Sequence, residues 1–315
     1  MKPLHYSSDD MWWGTLGTVR PFSNFHPDQD AMEIQAALDR KDAGTLVNLL
    51  TNRNNAQRQV IAVEYKKMTN KDLIACLKKA LSGDVENLLL QLLMLPEHFD
   101  AQRLQDAMAG LGTDEETLME ILSTRSKEQL QQINNAFQQR FKKDLEKELR
   151  GETSGDFAKL VVALLKKGDS PAVVQRDVEA LAASLDGKKA NAAPWIEIMT
   201  SRSSAHLENV LIGLELQLGQ ALEQMLDKRF SGDFQMGLKV LVQCIQSPEV
   251  YLAKRLSTMK TSLVHGIMVS HSEEDLLCIR AAFLKLTGNS LYSTLQKQFK
   301  GEHQQALLGI CRSED

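Results

Sequence analysis

The chain has 315 residues and a formal net charge of −4 at pH 7, so it offers no overall basic excess for binding nucleic acid. Hydrophobic residues make up 43% and charged residues 25%, as in ordinary globular proteins. Aromatic residues reach only 5%, and this composition favours helices over strands. The longest apolar runs, such as LVVALL, are far too short to span a bilayer, so we expect any membrane contact to be peripheral.

The first 25 residues form a polar N-terminal tail that begins MKPLHYSSDD and lacks the apolar run of a secretory signal. Two interpretations of this tail stay open. It is either a loosely docked segment with one tryptophan packed on the core, or a docking segment for a protein partner with Ser7 and Ser8 as phosphate acceptors.

The chain has four cysteines, and none of them forms a CxxC pair. This pattern favours reduced thiols in a cytoplasmic protein. A disulfide between Cys244 and Cys311 stays open as an alternative.

Four segments of the sequence resemble one another. Each carries a basic residue, separated from the next by 72, 77 and 69 residues, at Arg53, Arg125, Arg202 and His271. A glycine follows each basic residue by 30 positions, at Gly83, Gly155, Gly232 and Gly301. The sequence therefore predicts four copies of a unit of about 70 residues. We place a tail at 1–25 and repeats at 26–95, 96–168, 169–247 and 248–315.

Each copy reads as about five amphipathic helices. In the second copy apolar residues recur at helical spacing from Leu104 to Leu149, and FAKLVVALLKKG adds an almost fully apolar helix. Gly168 and Pro171 end that helix. No stretch shows sustained strand alternation, so we predict an all-α protein.

The stretch MAGLGTDEETL in the second copy predicts a loop between two helices. Gly110 and Gly112 tolerate the positive φ angles of a tight loop, and Thr113 with Glu116 forms a capping-box pattern for a helix that begins at Asp114. The carbonyl oxygens of residues 108, 110 and 112 can converge, an arrangement that suits calcium together with one carboxylate. A simple helix–helix turn is the alternative interpretation. A dinucleotide site and an EF-hand are both excluded by spacing.

Four helical repeats of this length, with MAGLGTDEETLMEILSTRS followed by GETSGDF, resemble the annexin core from about residue 26 onward. The resemblance implies four repeats of five helices in a curved disc, with calcium bridging loop carbonyls to the phosphates of anionic lipids. It implies that calcium binds the backbone oxygens of Met108, Gly110 and Gly112 and the carboxylate of Glu152. It also implies that Leu111, at the tip of the loop, dips into the membrane interface.

The other copies depart from the family pattern. The position of Glu152 is held by Ala80, Arg229 and Gln298, and the two-glycine motif is missing from all three. In copy one, Lys78, Leu81 and Glu86 resemble a secondary, weak calcium site.

Basic residues stand at several of the altered positions. We predict that Lys188, Lys189 and Arg229 contact lipid phosphates directly, with a solvated polar rim as the alternative. The remaining basic replacements are Arg40, Lys41 and Lys260.

By the same resemblance, Asp100, Glu120 and Arg125 match positions that line a central polar channel. A structural ion-pair network is the alternative interpretation, and His271 in place of arginine leaves that network incomplete in copy four.

The histidines are scattered and no nucleophile or HExxH motif occurs, so we expect no enzymatic activity. The predicted function is calcium-dependent binding to anionic phospholipids, phosphatidylserine included, mainly through copy two. The predicted cofactor is Ca²⁺, and the predicted location is the cytoplasmic face of plasma or vesicle membranes. The alternative is a calcium-independent scaffold that acts through protein partners. Glu152→Gln distinguishes the two functions.

Overall fold

A computed structural model describes residues 16–312. The predictions for Ser7, Ser8 and the two tail tryptophans lie outside these residues. The described chain folds into twenty α-helices and contains no strand, in agreement with the prediction of about five helices for each of four repeats. None of these helices is both long and apolar enough to cross a bilayer.

The helices fall into four groups of five along the chain. The first group is α1 Pro27–Arg40, α2 Ala43–Thr51, α3 Asn55–Thr69, α4 Leu73–Ala80 and α5 Gly83–Leu93. The second is α6 Pro96–Met108, α7 Glu115–Thr124, α8 Lys127–Phe141, α9 Leu145–Glu152 and α10 Gly155–Leu165. The third is α11 Val174–Ser184, α12 Ala193–Ser201, α13 Ser204–Leu218, α14 Leu222–Arg229 and α15 Gly232–Gln246. The fourth is α16 Pro248–Ser257, α17 Thr261–His271, α18 Leu276–Thr287, α19 Leu291–Gln298 and α20 Gly301–Cys311.

The repeat glycine begins the fifth helix of every group. Its φ is 67° at Gly83 and 61° at Gly155, and the other two copies are also left-handed, near 65° and 62°. The residue before each glycine is extended, so the chain turns sharply between the fourth and fifth helices. A side chain at this φ is strained, which explains why the glycine recurs in all four copies.

The chain forms two compact units. Unit 1 joins the chain up to Phe99 to the chain from Leu252 onward, and unit 2 spans Asp100–Tyr251. In unit 1, α2 packs on α20, and α1 packs on α3. In unit 2, α7 packs on α15, and α11 packs on α13. Each core consists mainly of buried leucine, isoleucine and valine side chains, whose removal from water stabilises the fold.

Unit 1 contains a histidine pair, one ring buried and the other half-buried, at positions that are apolar in the other repeats. The Nε2 atoms of His265 on α17 and His303 on α20 lie 2.7 Å apart. The repeat spacing places Met119 and Phe157 at the same two positions in the second copy. Burial, with His303 beside it, lowers the pKa of His265 to about 4. The pKa of His303 is also lowered by burial, which outweighs the opposing effect of Asp84.

The described part of the N-terminal segment is bound to unit 1. The amides of Thr18 and Val19 both donate to the backbone oxygen of Ser272, at 2.8 and 2.9 Å, and the amide of Leu16 donates to the backbone oxygen of Glu274.

All four cysteines are free thiols.

Candidate metal and anion sites

The α6–α7 loop, residues 109–114, adopts its conformation through two glycines with left-handed backbone angles. Gly110 and Gly112 have φ angles of 86° and 93°, in the left-handed region where side chains are strained. Between them Leu111 projects from the surface, and its side chain is fully exposed. The predicted interruption of the helical chain at this point is therefore present.

Three carbonyl groups of this loop are available as ligands. Among the residues that the structure describes, none donates a hydrogen bond to the backbone oxygens of Met108, Gly110 or Gly112. The loop is closed instead by the amide of Asp114, which donates to the oxygen of Ala107 at 2.8 Å. The three oxygens thus lack the protein partners that helical carbonyls have.

The predicted capping box is wrong by one residue. The N-cap of α7 is Asp114, whose carboxylate accepts hydrogen bonds from the amide of Thr117 at 3.1 Å and from its hydroxyl at 2.8 Å. The helix consequently begins at Glu115. A carboxylate is an equally good cap, and its use leaves the Thr113 hydroxyl free for another contact.

That contact joins the loop to Glu152 at the end of α9. Thr113 Oγ1 donates to the backbone oxygen of Glu152 at 3.2 Å and lies 3.5 Å from its Oε2. A carboxylate 39 residues away is thereby placed beside the α6–α7 loop. Sequence reasoning anticipated the proximity of Glu152 but missed Thr113.

These groups fit a hard cation such as calcium. Calcium takes six to eight oxygen ligands and accepts backbone carbonyls together with a bidentate carboxylate. Three unpaired carbonyls and one exposed carboxylate provide that chemistry. Over residues 16–312 there is no group of three or more histidine, cysteine or acidic side chains that could hold a metal, so a site here must use backbone oxygens.

Repeats 1 and 4 lack an open loop at the corresponding position. In repeat 1, α1 continues to Arg40, and the carbonyls of Ala37 and Leu38 accept hydrogen bonds from the amides of Asp42 and Lys41. In repeat 4, the amides of Thr258 and Met259 likewise donate hydrogen bonds to carbonyl oxygens in the last turn of α16. Because these carbonyls already have donors, neither turn presents the oxygen set of repeat 2.

Repeat 3 keeps an open loop, but the positively charged side chain of Arg229 is hydrogen-bonded to it. Gly187 has a φ of 82°, close to that of Gly110, its counterpart in repeat 2. Arg229 Nη2 donates to the carbonyl oxygen of Gly187 at 2.9 Å. Lys188 and Lys189 are exposed in the loop.

The weak candidate site of repeat 1 lies at the α4–α5 turn. Lys78 is in the last turn of α4, Leu81 is its buried C-cap, and Glu86 is in the first turn of α5. The three residues therefore lie around one turn, as their spacing predicts. Their calcium binding stays a prediction.

The polar residues assigned to a channel form two buried ion pairs. Arg125 binds Asp100 through both Nε and Nη2, at 2.8 and 3.0 Å. Glu120, which is fully buried, pairs with Arg103 Nη1 at 2.6 Å. Arg103 was missed in the sequence. The channel itself stays a prediction.

Lys167 was also missed, because it stands in an apparently polar linker. Its ammonium donates to the carbonyl oxygens of Leu122 and Arg125 at 3.2 and 2.9 Å, at the end of α7. Burial lowers the pKa of Lys167 to about 8. In repeat 4, His271 Nδ1 at the end of α17 lies 2.7 Å from the carboxylate of Asp275, which precedes α18.

A family model described as Annexin matches four segments of the chain, at residues 29–92, 99–164, 176–241 and 253–310. The chain belongs to the annexin family. Its sequence is 36% identical to annexin A9 of Homo sapiens over 330 residues, which cover 100% of this chain and 95% of that protein. Annexin A9 of Mus musculus is 35% identical over 96% of this chain and 92% of its own length.

Solved annexin structures match the fold closely. The structure of annexin III superposes with a TM-score of 0.93 at 34% identity, covering 97% of this chain and 99% of that one. Chicken annexin V in complex with Zn²⁺ gives a TM-score of 0.86 at 36% identity, covering 94% and 98%. Annexins generally bind phospholipids in a calcium-dependent manner, and the four-repeat helical architecture is shared by this chain.

Proposed function

We propose that this annexin attaches to anionic phospholipid membranes in response to calcium, mainly through the α6–α7 loop of repeat 2. The observation that carries the proposal is the set of three loop carbonyls without donors beside the tethered carboxylate of Glu152. Met108, Gly110 and Gly112 would bind the ion through backbone oxygens, and Glu152 would bind it through its side chain.

When bound, calcium supplies a doubly charged centre that can share its remaining positions with a lipid phosphate. The protein residues supply the rest of the attachment. Thr113 keeps Glu152 beside the loop, and the exposed Leu111 adds apolar contact with the membrane interface.

A single complete loop limits the avidity of attachment. Sites linked on one body increase binding through effective concentration, and that gain requires more than one working site. Since the turns of repeats 1 and 4 are closed, we expect weaker calcium-driven binding than an annexin with four open loops would have. The α4–α5 turn, with Lys78, Leu81 and Glu86, would add only a weak site.

Sedimentation with phosphatidylserine vesicles tests the proposal. Glu152→Gln should abolish the calcium-dependent fraction, since the amide removes one negative charge and the bidentate ligand. Glu148→Gln is the matched control, because Glu148 lies one turn earlier on α9 and pairs only distantly with Lys143, at 4.0 Å. Calorimetric titration with calcium should show one main site in the parent protein and none in the Glu152 variant.

The second candidate function is a calcium-independent scaffold. The closed turns of repeats 1 and 4 favour it, because half of the expected calcium loops are absent from the fold. On this alternative Glu152→Gln leaves lipid binding unchanged, and the N-terminal tail recruits a protein partner.

Under either function we propose a non-enzymatic protein that lies on the cytoplasmic face of plasma or vesicle membranes. We also propose that it does not bind nucleic acid.

A further inference from the structure

Repeats 2 and 3 can be compared residue by residue, since a constant offset of 77 residues relates their loops. The offset takes Gly110 to Gly187, and both have left-handed φ angles, 86° and 82°. It also takes Glu152 to Arg229. The backbone of repeat 3 thus keeps the first glycine conformation, while the charge opposite the loop is reversed.

The positive charge of Arg229 makes a hydrogen bond within the protein. Arg229 Nη2 donates to the carbonyl oxygen of Gly187 at 2.9 Å, and that carbonyl corresponds to the Gly110 ligand of repeat 2. The guanidinium joins the end of α14 to the α11–α12 loop, as an ion joining Glu152 to the α6–α7 loop would do. Its Nε is buried, while Arg229 as a whole is half-buried.

A calcium ion is excluded from the same position. Arg229 occupies one carbonyl and repels a second cation at this short range. Lys189 stands where repeat 2 has Gly112, and unlike Gly112 it does not adopt a positive φ. The loop therefore lacks both the acid and the second glycine of the calcium site.

The outer side of this loop is basic. Lys188 and Lys189 are exposed, and Lys189 with Lys159 of α10 lines a shallow cavity of about 380 Å³. Asp156, in the same cavity, lies 3.6 Å from Lys159, and Asp186 is the other acidic residue of the loop. The three lysines thus outnumber the two acids, an excess of positive charge that attracts phosphate groups.

We propose that the α11–α12 loop binds phosphate groups of an anionic membrane without calcium, and that Arg229 is a positioning residue that replaces the ion. This inference rests on the proposed membrane function and adds a second, calcium-insensitive contact to it. Lys188 and Lys189 meet the lipid phosphates, and Arg229 keeps their loop in the open arrangement.

Vesicle sedimentation in chelator at low ionic strength tests the lysines. The parent protein should bind phosphatidylserine vesicles weakly but not neutral ones, and the double variant Lys188→Ala/Lys189→Ala should bind at least tenfold more weakly, at roughly 1 kcal/mol for each lysine. The double variant Lys66→Ala/Lys67→Ala removes two adjacent exposed lysines elsewhere and should bind as the parent does. No binding of the parent, or equal losses in both double variants, overturns the proposal.

Hydrogen exchange tests the role of Arg229. Exchange of residues 186–192 should be the same with and without calcium in the parent, and Arg229→Gln should raise it in both conditions. Arg229→Gln should also weaken the chelator-resistant binding, and Arg229→Lys, which keeps the charge, should retain part of it. A calcium-dependent loop in the parent, or protection by inorganic phosphate alone, contradicts a membrane-specific, ion-independent site. The calcium-dependent binding of the Glu152→Gln variant is measured separately, so failure of one proposal is distinguished from failure of the other.

Discussion

Thr113 Oγ1 donates to the backbone oxygen of Glu152 across 3.2 Å, although 39 residues separate them. This contact fixes the distance between the α6–α7 loop and the end of α9, the two segments that the calcium site requires. Preorganisation of this kind raises affinity because less order has to be gained on binding.

Thr113→Val should therefore weaken calcium binding several-fold without changing the number of sites. Valine keeps the shape but donates no hydrogen bond, so about 1 kcal/mol of positioning is lost. Thr113→Ser retains the hydroxyl and is the matched control. Titration calorimetry checks the prediction, and equal affinities for the valine and serine variants would contradict it.

Leu111→Ala should lower affinity for vesicles while leaving calcium affinity in solution unchanged. The side chain is fully exposed at the loop tip, so its only expected gain comes from contact with the membrane interface, on the order of 1 kcal/mol. Leu216→Ala, at another well-exposed leucine on α13, should have no effect on vesicle binding. A loss of calcium affinity in the Leu111 variant would indicate that the substitution disturbs the loop instead.

Repeat 3 should become a calcium site when two of its departures from repeat 2 are reversed together. Arg229→Glu combined with Lys189→Gly restores the acid and the second glycine of repeat 2, and Gly187 already has the required φ. Calorimetry should then count one more calcium ion than in the parent. Either substitution alone should add none, and a double variant without the additional site would show that further loop residues are needed.

The histidine pair of unit 1 should make that unit sensitive to acid. The pKa of His265 falls from its usual 6.5 to about 4 on folding, so the unfolded chain binds more protons between these values. Stability present above pH 6.5 is then progressively lost as the pH falls toward 4, by at most about 3 kcal/mol. Asp84 on α5 raises the pKa of both rings and so opposes this effect, and its carboxylate lies 3.9 Å from His303 Nδ1.

Replacement of the pair by the repeat 2 residues, as His265→Met/His303→Phe, should flatten this pH dependence. Hydrogen exchange of the α17 and α20 peptides at pH 7 and pH 5 measures the effect directly. His26→Gln, at an exposed histidine, is the control. Equal acid sensitivity of the parent and the paired variant would assign the pH dependence to other groups.

The helical architecture was predictable because it depends on patterns within each repeat. Leucine spacing, the recurring glycine and its constant distance from the basic residue specify five helices per copy before any tertiary contact is considered. The position of Glu152 followed from the same repeat register. Asp114 and Thr113 were misassigned because both can cap a helix, and only the tertiary contact with Glu152 decides between them.

The role of Arg229 could not be read from the sequence alone. Its charge suggests an outward contact with lipid, whereas the fold directs one of its nitrogens to Gly187. Arg103 and Lys167 were missed for a similar reason. Both have the sequence context of surface residues, but in the fold Arg103 pairs with Glu120 and Lys167 binds carbonyl oxygens at the end of α7.

Both loops with an open conformation, α6–α7 and α11–α12, belong to unit 2, whereas the described N-terminal segment is hydrogen-bonded to unit 1. Adhesion to lipid and recruitment through the tail would then depend on separate parts of the polypeptide. A substitution in the loops of unit 2 is therefore expected to change lipid attachment and to leave recruitment through the tail unaltered.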